Sequence, residues 1–596
     1  MHSRPGHIAE SPRRTTDLNA GWRFQIDTRD IGEKDRWQAT AFDRSAWGPI
    51  AVPGAWDCIQ DSLRGFQGVG WYSLNFASPA RRPGDVARLH FGRVQLRCKV
   101  WLNGRLLGEN LTYNVPFEHD VTRALRPGKN QLVLRVDNRY TPDLLPCGGV
   151  VEWVLYGGIL EPVRMVVTSG LFVDDVCVRP SLSPDGATAH CLVTVANRGA
   201  ARAEGILEIT VKGHGTRQRA RVPFTCPAGD TSLSEAVIAV RGARLWTPDS
   251  PSLYSVQAAI LVDGRARDAV RDRFGFRTLA AKGRDILLNG KPVRIQGVCR
   301  YDEYGRQGPN PTVAQLRRDV RLIKAAGANC IRMHYPQSPV LLDLLDEMGL
   351  MAMEEVPICW WSKGFSKGKK RRQSLAILDH ALPTLRKIVR RDKNHPCLII
   401  YSTANESRTD SAVGAAVMKA LIDEAHRLDP TRLVTFVVPQ HCKPHRAYDR
   451  ADLVSVNAYF GVFFGEYACH IRQLDRLVQR PTVKLLSEET RFWPDKPFLV
   501  SEYGCCSIAG LHGDVCWTEE FQVAYIRAVW QAIHSVRDVC GGILWSWADY
   551  FHRRGAPQMS APFGPYGVVT VDRKPKAALR ALAVMYGGAA ARENRR

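Results

Sequence analysis

From about residue 279 onward, short apolar runs alternate with helical stretches, and this alternation constrains the fold more than any other feature of the chain. The strand candidates are Val293–Val298, Asn329–Met333, Leu350–Val356, Cys397–Ser402, Leu433–Val437, Leu453–Asn457, Phe498–Ser501 and Gly542–Trp547. Helical segments between them include Thr312–Ala326, Val340–Met348, Leu375–Arg391, Ala412–Arg427 and Thr518–Val536. A continuous apolar run is how a strand buried on both faces reads. Repeated strand-then-helix order builds a parallel sheet with right-handed crossovers. Eight such strands predict a closed (β/α)₈ barrel over residues 279–596.

The chain ahead of the barrel is β-rich. Trp22-Arg-Phe, Gly70-Trp-Tyr and Lys99 to Gly108 are strand fragments, and Asn103-Gly104 between two apolar runs marks a hairpin. Closely spaced strands of this kind predict an antiparallel β-sandwich over residues 1–170. Ala189–Ala196 and Gly205–Val211 alternate with one buried face, and the stretch 171–278 has the length of an immunoglobulin-like sandwich. Three domains fit the 596-residue length.

Composition excludes several function classes. Hydrophobic content of 45% and charged content of 24% are those of a soluble globular protein. No apolar stretch is long enough to span a membrane. Met1 to Arg14 is polar and basic and lacks the apolar segment of a secretory signal, so a cytoplasmic location is expected. The sixteen cysteines are scattered, many inside apolar runs, and form no zinc-type spacing; no metal and no cofactor are expected. The net charge of +23 raises the question of nucleic acid. Its basic residues are mostly dispersed arginines without a recognition motif, so neither nucleic acid nor membrane is expected as a partner. The densest basic run is Lys363 to Arg372. It reads either as a solvated loop or as an attractor for an anionic substrate.

In a (β/α)₈ barrel the C-terminal strand ends share one face, and chemistry is done there. Those ends bring Arg300, Asp302 and Glu303 from the first strand, Arg332 and His334 from the second, and Glu354 and Glu355 from the third. The fourth ends on Asn405-Glu406, the sixth on Asn457 and Tyr459, the seventh on Glu502, and the eighth on Trp545, Trp547 and Asp549. Two carboxylates facing each other across a barrel mouth are what glycosidic bond cleavage requires, one protonated and one ionised. Arg332 and Tyr459 are placed to hydrogen-bond one carboxylate and hold it ionised by lowering its pKa. Trp545 offers an apolar face for a sugar ring.

These motifs resemble glycoside hydrolase family 2 over nearly the whole chain. Val100-Trp-Leu-Asn-Gly with Gly108, and Pro116-Phe-Glu-His-Asp-Val121, are similar to its jelly-roll sugar-binding domain. Asn329-Cys-Ile-Arg-Met-His-Tyr-Pro336, Lys393 to Glu406 and Ser501-Glu502-Tyr503-Gly504 are similar to its barrel motifs. The resemblance implies Glu406 as general acid/base, Asn405 as a contact to the sugar 2-hydroxyl, Glu502 as nucleophile and a retaining reaction. The β-glucuronidases are the most similar branch, through Ala509-Gly-Leu-His512, Trp517 to Gln522, Asn457-x-Tyr459-x-Gly461 and Asp572 to Lys576. By the same resemblance Glu152 stands roughly where those enzymes carry a sugar-binding Asp.

One departure matters. The Asn-x-Lys that reads a uronate carboxylate in those enzymes is here Gly564, Pro565 and Tyr566, and an Arg is replaced by Glu161. The substrate is then either not a uronide, or another cation serves, with the 363–372 run as candidate. The expected function is an exo-acting retaining β-glycosidase, glucuronidase-like in architecture, acting on an oligosaccharide or glycoconjugate. A β-galactosidase or other neutral-sugar hydrolase is the first alternative. A non-catalytic carbohydrate-binding protein is more remote, since both glutamates are present. Oligomeric state stays open, a homo-oligomer included.

Overall fold

The computed structural model describes residues 13–142, 144–147, 151–184, 186–361, 374–440, 446–463, 465–552 and 563–588. Two β-sandwiches precede a closed eight-stranded parallel barrel. In the first sandwich a six-stranded sheet built on Val69–Ala77, Lys129–Asp137 and Arg97–Leu102 faces a four-stranded sheet built on Val86–Phe91 and Val163–Thr168. Trp22, Phe24, Trp56, Tyr72, Phe91 and Leu134 fill the space between them. The hairpin expected at Asn103-Gly104 joins Arg97–Leu102 to Arg105–Asn110. Both turn residues have positive φ, 53° and 81°, as a two-residue hairpin turn demands.

The second sandwich packs a three-stranded sheet on a four-stranded one. Its strand Gly186–Asn197 alternates buried and half-buried positions, with Ala189, Cys191, Val193 and Val195 turned into the core. This alternation is the period-2 signature of a sheet with one face against its partner.

The barrel strands are Ile295–Arg300, Cys330–Met333, Met351–Glu355, Leu398–Asn405, Leu433–Pro439, Val454–Asn457, Phe498–Tyr503 and Val539–Leu544. All eight expected strands exist, with two displaced. The apolar run at Val293 splits, and Lys291–Val293 pairs instead in a small antiparallel sheet. The last strand begins at Val539 rather than Gly542, so Trp545 and Trp547 lie beyond its end. Gly541 explains the second displacement. A Cβ there would lie 2.1 Å from the Ile295 carbonyl oxygen, so only glycine lets the eighth strand approach the first and close the barrel. Helices Arg480–Phe492 and Ala577–Tyr586 were not expected from the sequence. Among the described residues no helix is long and apolar enough to cross a membrane.

A buried ion pair locks the turn that feeds the fourth strand. His395 Nδ1 lies 2.6 Å from Asp346 Oδ2, and the other Asp346 oxygen accepts the Cys397 backbone N–H at 2.9 Å. Burial disfavours the imidazolium, but the Asp346 charge outweighs it and lifts His395 to about 9. A folded pKa above the unfolded value gives stability that is full below pH ~6.5 and lost as pH rises through about 9. Replacement of His395 by Gln should therefore cost roughly 3 kcal/mol at pH 6. Melting curves at pH 6 and pH 9.5 should show a gap between wild type and variant that narrows at the higher pH. A gap independent of pH would refute the assignment.

Candidate active site

The C-terminal strand ends converge on a cavity of about 360 Å³. Of the expected site residues, Glu152, His334, Asn405, Glu406, Tyr459, Glu502 and Trp545 line it. Arg332 lies directly beneath and is fully buried. Its guanidinium donates to Glu502, to Glu355 Oε2 at 2.7 Å and to Asn405 Oδ1 at 2.9 Å. The Tyr459 hydroxyl donates to the other Glu502 oxygen at 2.8 Å. Glu406 is held on both oxygens, by Asn457 Nδ2 at 2.9 Å and by Trp360 Nε1 at 2.9 Å. Glu406 itself has φ of +45°, a conformation that side-chain-bearing residues adopt at a cost and that clusters at functional sites.

Asp302, expected among the sugar-binding groups, is placed elsewhere. It forms an ion pair with Arg93 of the first sandwich at 2.5 Å and faces Arg300 at 3.4 Å. It is absent from the lining of the catalytic cavity. Its partner comes from a domain some two hundred residues earlier, which no local pattern could show. The 363–372 run lies outside the described residues.

Two residues named among the strand ends but given no role prove central. Glu355 accepts from Arg332, from Ser402 Oγ at 2.7 Å and faces His334 Nδ1 at 2.8 Å. Asn457 links Glu406 to Asn405 and accepts from Ser501 Oγ at 2.9 Å. Both stood at strand ends in the sequence, the one signal that could have flagged them. Trp153, Tyr301, Cys359, Trp360, Phe463, Tyr467, Tyr550 and Tyr566 complete the described wall. Glu152 and Trp153 come from the loop between strands Lys129–Asp137 and Val163–Thr168 of the first sandwich, which reaches the barrel through bridges from Trp153 to His552 and from Cys147 to Ile358.

Burial sets the electrostatics. It pushes Glu502 up to about 7; Arg332 and Tyr459 pull the carboxyl down, while the Glu406 charge adds to the rise. The contacts expected to lower this pKa are present, but desolvation exceeds them, so the net shift is upward. Glu152 is pushed up to about 7 by burial and by the charges of Glu406 and Glu502. Its Oε1 is buried without a hydrogen-bond partner among the described residues. Burial also raises the cost of ionising Glu355, yet Arg332 and His334 hold it at about 2. His334, desolvated beside them, drops to about 4 and is neutral at pH 7. The site thus holds one ionised carboxylate, Glu355, beneath the floor and two, Glu502 and Glu152, whose charge changes near neutral pH.

Model descriptions of known families match the chain in three consecutive pieces: the sugar-binding domain of glycosyl hydrolases family 2 over residues 15–153, that family's central domain over 171–277, and its TIM barrel domain over 279–590. The chain belongs to glycoside hydrolase family 2. It is accordingly a glycoside hydrolase, with the family's sugar-binding domain, immunoglobulin-like sandwich and catalytic barrel. Similar proteins include the β-glucuronidase of Paenibacillus borealis, 27% identical and covering 96% of this chain and 97% of its own. The human β-glucuronidase is 25% identical, covering 96% of this chain and 90% of its own. Among solved structures, the family 2 β-galacturonidase of Eisenbergiella tayi bound to galacturonate superposes with a TM-score of 0.84 at 25% identity, covering 97% and 98% of the two chains. The Ruminococcus gnavus β-glucuronidase with D-glucuronic acid shares the fold with a TM-score of 0.86 at 23% identity, covering 97% and 99%.

Proposed function

We propose that the protein is an exo-acting retaining β-glycosidase of glucuronidase-like architecture. The observation that carries this reading is the joint placement of Glu406 and Glu502 on one cavity, with Arg332 and Tyr459 on the second carboxylate. In the first step Glu502 attacks the anomeric carbon and a carbon–oxygen ester bond forms. The bond to the leaving oxygen breaks, its electron pair stays on that oxygen, and Glu406 supplies the proton. In the second step Glu406 takes a proton from water, the water oxygen bonds to the anomeric carbon, and Glu502 departs as carboxylate. Asn405, fixed by Arg332 and Asn457, presents its amide beside the sugar. Relatives named β-glucuronidase and β-galacturonidase support a uronide as substrate.

A second reading, a neutral sugar, is favoured by the lining itself. Among the described lining residues there is no Lys or Arg, and Tyr566 stands where the resemblance calls for Lys. Turnover of nitrophenyl β-glucuronide, β-galacturonide, β-glucoside and β-galactoside separates the two. If a uronide wins, changing Lys369, Lys370, Arg371 and Arg372 to Ser tests the basic run. A loss at least tenfold greater on the uronide than on a neutral glycoside is expected. Equal loss, or none, removes that run as the carboxylate reader. We further propose the cytoplasm as compartment, supported by fifteen cysteines free of disulfides among the described residues.

Glu502 must be ionised to attack, so kcat/KM should rise with pH through about 7. Tyr459→Phe removes a hydrogen bond that stabilises the ionised carboxylate. The acid limb of the profile should then move up by about one pH unit. A limb that stays in place would show that Tyr459 does not set the charge of Glu502.

A further inference from the structure

Fifteen free cysteines lie among the described residues, and eleven of them are buried. Burial pushes such thiols up, Cys505 and Cys506 among them, and keeps them from reagents in solution. Four are within reach of solvent. Cys58 and Cys177 are half-buried and belong to different sandwiches. Cys469 is exposed and Cys516 half-buried, and these two face each other. Cys469 lies on the segment that follows the sixth barrel strand, Val454–Asn457. Cys516 lies on the one that follows the seventh, Phe498–Tyr503.

The two segments meet in an antiparallel bridge between His470 and Val515. Ile471 N donates to Asp514 O and Cys516 N donates to Cys469 O, both at 2.9 Å. That register sets Cys469 directly opposite Cys516. Opposed residues joined by such a hydrogen bond sit about 5.5 Å apart at Cα, with their side chains on one face. A disulfide bridges Cα separations of roughly 4.4–6.8 Å. The side chains do meet: the Cys516 thiol is pushed up by burial, by the charge of Cys469 and by a hydrogen bond with it. Both strands of the bridge are fixed from outside it. Gln473 Oε1 accepts the backbone N–H of Cys469 at 2.8 Å and of His470 at 2.9 Å. Thr518 Oγ1 donates to Val515 O at 2.6 Å and to Gly513 O at 2.9 Å.

We propose that Cys469 and Cys516 form a modification site, at which a small-molecule disulfide installs a reversible cross-link between the two barrel loops. The proposal stands independently of the glycosidase reading. In the first step the exposed Cys469, as thiolate, attacks one sulfur of the small disulfide. That S–S bond breaks, a mixed disulfide forms, and one small thiol leaves with the proton Cys469 gave up. In the second step Cys516, as thiolate, attacks the Cys469 sulfur, and the other small thiol leaves with the proton from Cys516. Two protein thiols are oxidised and one disulfide is reduced. A small thiol reverses both steps, as redox-sensing disulfides of reducing compartments require. The cross-link closes a loop of about fifty residues that contains the whole seventh strand and Glu502. It also fastens the segment that carries Phe463 and Tyr467, both of which line the catalytic cavity.

The test incubates the full chain with oxidised glutathione, then maps its peptides without reduction. Wild type should yield a peptide pair joined through Cys469 and Cys516, and dithiothreitol should release it. Cys516→Ser should instead retain one glutathione on Cys469, because the resolving thiol is gone. Cys469→Ser should give no cross-link. Amide hydrogen exchange over residues 466–471 and 511–517 should slow by roughly fivefold or more in the cross-linked chain and recover on reduction. A glutathione retained on Cys469 of the wild type would show that the two sulfurs cannot meet, and would overturn the proposal. So would a bond from either cysteine to a third one, Cys505 included, or exchange rates indifferent to the cross-link.

Discussion

Glu502→Gly should reduce turnover by about 10³-fold or more while leaving the fold intact, and azide should restore product of inverted configuration. The carboxylate lines the cavity and, among the described residues, accepts hydrogen bonds only from Arg332 and Tyr459, so no structural element hangs on it. Removing the side chain opens space on the face from which it attacks. A small anion entering there displaces the aglycone once, giving an α-glycosyl azide from a β-glycoside. The product's anomeric configuration, read by proton NMR, identifies the residue removed. A β-azide would assign the nucleophile elsewhere, and full activity would end the retaining mechanism.

The second large effect is expected at Glu406. Its proton matters in proportion to how poorly the aglycone leaves. Glu406→Ala should therefore cost about 10³-fold on a methyl glycoside and far less on a dinitrophenyl one, whose phenolate departs without protonation. Deglycosylation is slowed for every substrate, because water has lost its base. Azide needs no base, so it should accelerate that step and yield the β-glycosyl azide. Rates measured across leaving groups of decreasing acidity check this. A loss of the same size on every substrate would point to damage at Asn457 or Trp360, which lose their hydrogen-bond acceptor, rather than to a missing proton.

The two variants together distinguish an enzyme from a sugar-binding protein on the same scaffold. They also probe a site where burial has raised both Glu502 and Glu152 toward neutrality. Glu152, Glu406 and Glu502 line the cavity with little compensating charge among the described lining residues, since Arg332 is shared among Glu355, Glu502 and Asn405.

Much of this was legible in the chain alone. Apolar runs of strand length separated by helical stretches fixed the barrel, because a strand covered on both faces admits few polar residues. The residues terminating those runs had to share a face, because parallel strands in a closed sheet point one way. That placed Glu406, Glu502, Arg332, His334 and Tyr459 together before any coordinates existed, and all five meet around one cavity. What local pattern could not convey was contact between distant segments. Asp302 reads as a strand-end acid with catalytic company, yet Arg93 claims it. The eighth strand was expected to begin at Gly542, yet it begins at Val539 and passes through Gly541, where the barrel closes. The ionisation of Glu502 was misjudged in sign, because a sequence lists its hydrogen-bond partners and says nothing of the water it has lost.

The order of residues along the chain determined the barrel, its two attendant sandwiches and the pair of glutamates, since periodicity and strand direction are local properties that propagate. Only the tertiary structure decided which side chains enclose the sugar and which stand at the opening. Glu152 and Trp153 from one domain, Trp360 and Tyr467 from separate barrel loops, become neighbours through packing over long separations. Enclosure and desolvation belong to the assembled molecule, and they set both the charge of the catalytic groups and the room left for a leaving group.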